Sequence, residues 1–161
     1  MEAPSFDDLL GHLSALALPF EAKAVEDALD LAFARDPDLC TAQIEVWIGR
    51  PCRPGGILRL AELRFFKRHA DEVVLGLHLA EDAAIAMDEV ARRFGPCDEM
   101  EVEVDGAAIY HTYHRGWGDM VFGFAPDGGA LRQIVLSAEP PPPVRAWDRP
   151  KTLNHLNGSV S

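Results

Sequence analysis

The chain of 161 residues is the size of one domain, or of two small units packed closely, and is long enough to bury a core without staples. Its 26 acidic residues against 15 basic ones leave a net charge of −11, a field that repels a phosphate backbone, so nucleic-acid binding is disfavoured and a basic protein partner favoured. Cys40, Cys52 and Cys97 form no Cys-x-x-Cys pair, which argues against a disulfide framework and against a zinc ribbon.

The acidity is concentrated in two blocks. Residues 1–40 carry nine acids and two bases, and residues 81–130 carry eleven and three. Such blocks either keep a surface solvated or steer a cationic partner. The start, Met-Glu-Ala-Pro-Ser-Phe-Asp-Asp, lacks the basic segment of a secretory signal, and no apolar run approaches the roughly 18 residues of a membrane span. The expectation is a cytoplasmic protein with no membrane association.

Ser5 is placed to cap a helix that has Asp7 and Asp8 in its first turn and Phe6, Leu9, Leu10, Leu13 and Leu16 along one face. Pro19 suits the first turn of a second helix running to about Arg35, with Val25, Leu29 and Ala32 apolar, before Asp36-Pro37 stops it. From Thr41 the period changes to two. Ile44, Val46 and Ile48 alternate with Gln43, Glu45 and Trp47, which places Trp47 on the polar face of a strand. After the loop "RPCRPGG", the segment 57–69 fits either a helix or a strand bulged near Ala61, and the strand is favoured. "VVLGLHL" follows as a strand with Val73, Leu75, Leu77 and Leu79 on one face.

A further helix is predicted from about Asp82 to Phe94, with Ala84, Met87, Ala91 and Phe94 inward, ended by Gly95-Pro96. "MEVEV", "AIYHTYH", "MVFGF" and "LRQIVL" then read as successive antiparallel strands, the first with Met100, Val102 and Val104 inward and Glu101 and Glu103 outward. Pro140–Pro143 predicts a stiff polyproline stretch, followed by a tail without periodicity that carries Trp147. The pattern implies an α+β domain over residues 1–139, with helices packed on one face of an antiparallel sheet. It also allows two tandem helix-plus-three-strand units over 19–79 and 81–138, followed by a Pro-rich segment and tail over 140–161.

The stretch "VARRFGPCDEMEVEVDGAAIYHTYHRGWGDMVFGFAPDGGALRQIVL" resembles the helix, Gly-Pro break, aromatic hairpin and "F-x-x-x-x-G-x-L-x-x-I" ending of beta-lactamase-inhibitor-protein-like modules and of small outer-membrane-assembly lipoproteins. Its modest α+β layout is also similar to immunity proteins of bacterial toxin systems. The resemblance spans about fifty residues and implies a protein binder.

The residues that invite a chemical reading lie in "IYHTYHRGWGDM", 109–120. A metal site built on His111 and His114 is disfavoured because residues i and i+3 of a strand point to opposite faces, and a third ligand such as Asp119 or Cys97 would have to come from elsewhere. A catalytic reading would take one histidine as general base, oriented by Asp119 or Glu103. No nucleophile elbow, metalloprotease motif or phosphate-binding loop accompanies it. The expectation is therefore a non-enzymatic, cofactor-free, acidic binding module, most concretely an immunity-type inhibitor that occludes the active site of a basic toxin or enzyme. Trp117, Tyr110, His114 and Arg115 supply the contacts in this reading, Asp119, Glu101 and Glu103 the charge, and Trp47 a further exposed aromatic. The alternatives are a small enzyme or ligand-binding protein using the His/Tyr cluster at 110–119, and a homodimer joined through Trp47 and the aromatic hairpin.

Overall fold

The computed structural model describes residues 5–18, 20–68, 72–103, 108–126 and 129–138. Helix α1 (Phe6–Ser14) starts with a reciprocal capping box: the Ser5 hydroxyl accepts from the Asp8 N–H, and the Asp8 carboxylate accepts from the Ser5 N–H. The expected second helix is shorter than its pattern suggests. Helix α2 (Ala22–Leu29) stops at Asp30, which takes a left-handed conformation (φ 56°), and Leu31–Arg35 form strand β1 instead of more helix. "LAFAR" fits both periods; the edge it forms with the next strand, and the Glu26 carboxylate accepting from the Phe33 N–H at 2.7 Å, favour the extended form. Ala32 is accordingly exposed.

Strand β2 (Ile44–Pro51), β3 (Leu58–Phe66) and β4 (Val73–Leu79) complete a four-stranded meander. The segment 57–69 is thus strand over most of its length, with the bulge between Leu58 and Leu60, slightly before the expected place. Trp47 lies opposite Leu63, a fully buried residue, and is itself half-buried against the core. It is not on an exposed polar face; Ile44, Val46 and Ile48 take the other side. There Val46 is covered where its N–H meets the Cys40 thiol at 3.2 Å.

A 3-10 turn at Glu81–Ala83 and a left-handed Ala84 (φ 52°) precede helix α3 (Met87–Phe94), so the expected single helix from 82 is broken. Val90 of α3 and Ile85 just before it are buried, and Met87 and Phe94 pack against the core as expected, while Ala84 and Ala91 face solvent. Strands β5 (Glu99–Val102), β6 (Ile109–Arg115), β7 (Gly118–Phe124) and β8 (Leu131–Ala138) form a second meander. Each of α2 and α3 is therefore followed by four strands, not three.

The sheet runs β1-β2-β3-β4-β8-β7-β6-β5, antiparallel throughout, with the two meanders joined where β4 meets β8. One buried cluster unites Phe6, Leu9, Phe20, Val25 and Val90 with Leu63, Leu75, Leu77, Phe122 and Ile134. Alternation along the inner strands β3, β4, β7 and β8 carries about one side chain in two into it. No helix among the described residues is long and apolar enough to cross a membrane. The Pro140–Pro143 run, Trp147 and Val104 lie outside the described residues.

Candidate partner-binding face

The strand pairing places the acidic and aromatic residues of the second meander by register alone. Glu101 lies opposite Tyr110, Glu99 opposite Thr112, and His114 opposite Asp119. Directly opposed residues of antiparallel strands share a face, and this face points away from the buried cluster that holds Tyr113 and Phe122. Glu103, two residues beyond Glu101, takes the same side, and its carboxylate accepts from the Tyr110 hydroxyl at 2.8 Å. Across β7 the Tyr110 ring lies over Gly123; a side chain there would meet both it and Gln133.

His114 ties three strands together. Its Nδ1 lies 2.7 Å from Asp119 on β7 and its Nε2 2.7 Å from Glu99 on β5, while its backbone N–H donates to the Asp98 carboxylate at 2.7 Å. Both carboxylates are served at once only by the protonated ring. The hydrogen bond to Asp119, then that to Glu99, accordingly raises the His114 pKa above its ordinary value. Both ring nitrogens are engaged, which leaves no lone pair for a cation, and no group of three or more His, Cys, Asp and Glu side chains among the described residues is arranged to hold a metal. His111 points to the opposite face, against Phe124 at 5.0 Å between ring centroids. Burial lowers its pKa, and its Nε2 has no hydrogen-bond partner among the described residues.

Strand β5 is the edge of the sheet, and all four of its residues are exposed. Met100 and Val102, expected in the core, are 65% and 54% exposed. Register puts them on the core-side face, opposite His111 and Ile109, but no other layer covers them among the described residues. The edge thus carries apolar side chains on one side and carboxylates on the other.

Five of the sequence-selected residues, Tyr110, His114, Asp119, Glu101 and Glu103, come together on this face. Three do not. Trp117 shares a two-residue turn with Gly116, and its side chain is half-buried against the core rather than exposed at the tip. Arg115 lies on the core side with its guanidinium 5.4 Å from the Tyr113 ring, and Trp47 belongs to the first meander. Asp98, Glu99, Met100 and Val102 were not selected from sequence; the alternation of Glu99 and Glu101 with Met100 and Val102 was the available signal. No family model, curated protein or solved structure matches the chain.

Proposed function

We propose that the chain is a protein-binding module, with the helices over one face of the sheet, that engages a basic partner through the β5 edge and the adjoining acidic face. Its most concrete form is an immunity-type inhibitor that covers a cationic active site. The observation that carries this reading is the exposure of every β5 side chain, Met100 and Val102 included. Exposed apolar residues on an edge strand invite another chain, and folded proteins ordinarily blunt such edges. The outer side of β5, unpaired among the described residues, offers main-chain groups to an added strand. Glu99, Glu101, Glu103 and Asp119 select a partner that is positive, and Tyr110 supplies an aromatic anchor with a polar handle. A second copy fits less well: antiparallel pairing of two β5 edges would set carboxylates against carboxylates.

The test is capture from a lysate of the source cells by the intact chain at low and high salt, against two variants. Met100→Thr with Val102→Thr removes the apolar side, and Glu99→Gln, Glu101→Gln and Glu103→Gln together remove the charge. A basic protein recovered at low salt, weakened at high salt and lost with both variants supports the reading. Capture that neither variant diminishes would sink it.

A further inference from the structure

A cleft of about 240 Å³ opens on the core side of the second meander, between α1 with its following segment and strands β7 and β8. Leu10, Leu13 and Leu16 form one wall, and Trp117 and Met120 face them. α1 buries Phe6 and Leu9 fully, whereas Leu10 and Leu13 remain half-covered because they border this space. Of the side chains that line it, those of Ser14, Arg115 and Trp117 carry nitrogen or oxygen. The Ser14 hydroxyl is already spent on the Leu10 carbonyl at 2.6 Å, which leaves the Arg115 guanidinium and the Trp117 indole N–H.

Arg115 is the one described arginine that is not exposed. The protein carries an excess of 11 negative charges, yet Arg115 makes no ion pair among the described residues and rests instead on the Tyr113 ring. The nearby carboxylates Glu99 and Asp119 are turned to the other face of the sheet, where His114 holds them. A half-buried arginine that meets no carboxylate among the described residues, at an apolar cleft, is complementary to one chemistry: an apolar body ending in a single planar anion. The volume sets the size, since 240 Å³ corresponds to about eight water volumes of roughly 30 Å³, which is the bulk of a chain of roughly eight to ten heavy atoms.

We infer that this cleft binds a medium-chain monocarboxylate, with its hydrocarbon part against Leu13, Trp117 and Met120 and its carboxylate on Arg115. The site is separate from the β5 face, so the two readings stand or fall independently. Calorimetric titration of the full chain with octanoate, and with octan-1-ol as the neutral counterpart, tests it. Octanoate is expected to bind one to one. Arg115→Gln is expected to weaken octanoate by about tenfold or more, the loss of a hydrogen bond to a charged group, while leaving octanol unchanged, and Arg115→Lys to restore part of the difference. Leu13→Trp fills the cleft and is expected to abolish both, with the fold checked by circular dichroism. Absence of saturable octanoate binding overturns the proposal, as does an Arg115→Gln variant that keeps full octanoate affinity or loses both ligands equally.

Discussion

Replacing Tyr113 by phenylalanine removes one oxygen from the interior and leaves the packing in place. The side chain is 2% exposed, and its ring contacts Phe94 and Phe122, each at 5.8 Å between centroids. Its hydroxyl donates to the Gly95 carbonyl at 2.7 Å, which fixes the C-terminal end of α3 to β6. Tyr113→Phe leaves that carbonyl without its partner, so the expected cost is about 1–2 kcal/mol, or roughly 2–8 °C in Tm for a domain of this size. The control is Tyr110→Phe. That hydroxyl also makes one good hydrogen bond, to Glu103, but on the open face where water replaces it, and the expected cost is about 0.5 kcal/mol or less. Urea denaturation with unchanged m-values measures both. Equal losses for the two variants, or no loss for Tyr113→Phe, would refute the reasoning that burial makes the orphaned carbonyl expensive. Absorbance adds a second reading, because these are the only two tyrosines. Burial raises the Tyr113 pKa, and the Glu103 hydrogen bond followed by burial raises that of Tyr110, so both phenols should ionise above their ordinary pH.

His114 should make stability depend on pH. Its folded pKa is raised, so its contribution is fully present below the unfolded value of about 6.5 and is lost as pH rises through the folded value; His114→Gln should flatten that part of the urea-midpoint profile. His111→Phe should stabilise the fold by about 1 kcal/mol, since it removes a buried nitrogen that has no partner among the described residues and keeps a ring against Phe124; thermal denaturation checks the sign. Gly118 has φ 149°, and a β-carbon there would overlap the Ser137 carbonyl of β8. Gly118→Ala should cost about 2 kcal/mol or more, whereas Gly56→Ala, which meets nothing within 4 Å, should stay within about 0.5 kcal/mol of the parent.

Local signals were readable where one short segment decides the outcome. The Ser5 cap and the alternating Val73, Leu75, Leu77 and Leu79 follow from side-chain chemistry at neighbouring positions. Alternation, however, tells only which residues share a face. Whether Trp47 points inward depends on its pairing with Leu63, sixteen positions away, and whether Met100 and Val102 are covered depends on how far the other elements extend along the sheet. The "LAFAR" segment reads as helix because its first two residues continue the apolar stripe of α2, and only pairing with β2 marks it as strand. At the candidate face, the choice of Tyr110, His114, Asp119, Glu101 and Glu103 rested on residue type, which strand register then brought together. Trp117 rests on the same logic, but its side chain folds back and is half-buried against the core.

The joint between the meanders carries a kinetic consequence. Pairing Val73 with Ala138, at the start of β4 and the end of β8, requires most of the second meander to be looped out before the contact is made, and loop closure opposes it until local hairpins have formed. Until that step, two strands rich in buried leucine, isoleucine and valine each present an open side. Refolding should therefore proceed as two rapid local collapses followed by a slower docking, with losses to aggregation concentrated in the interval between them.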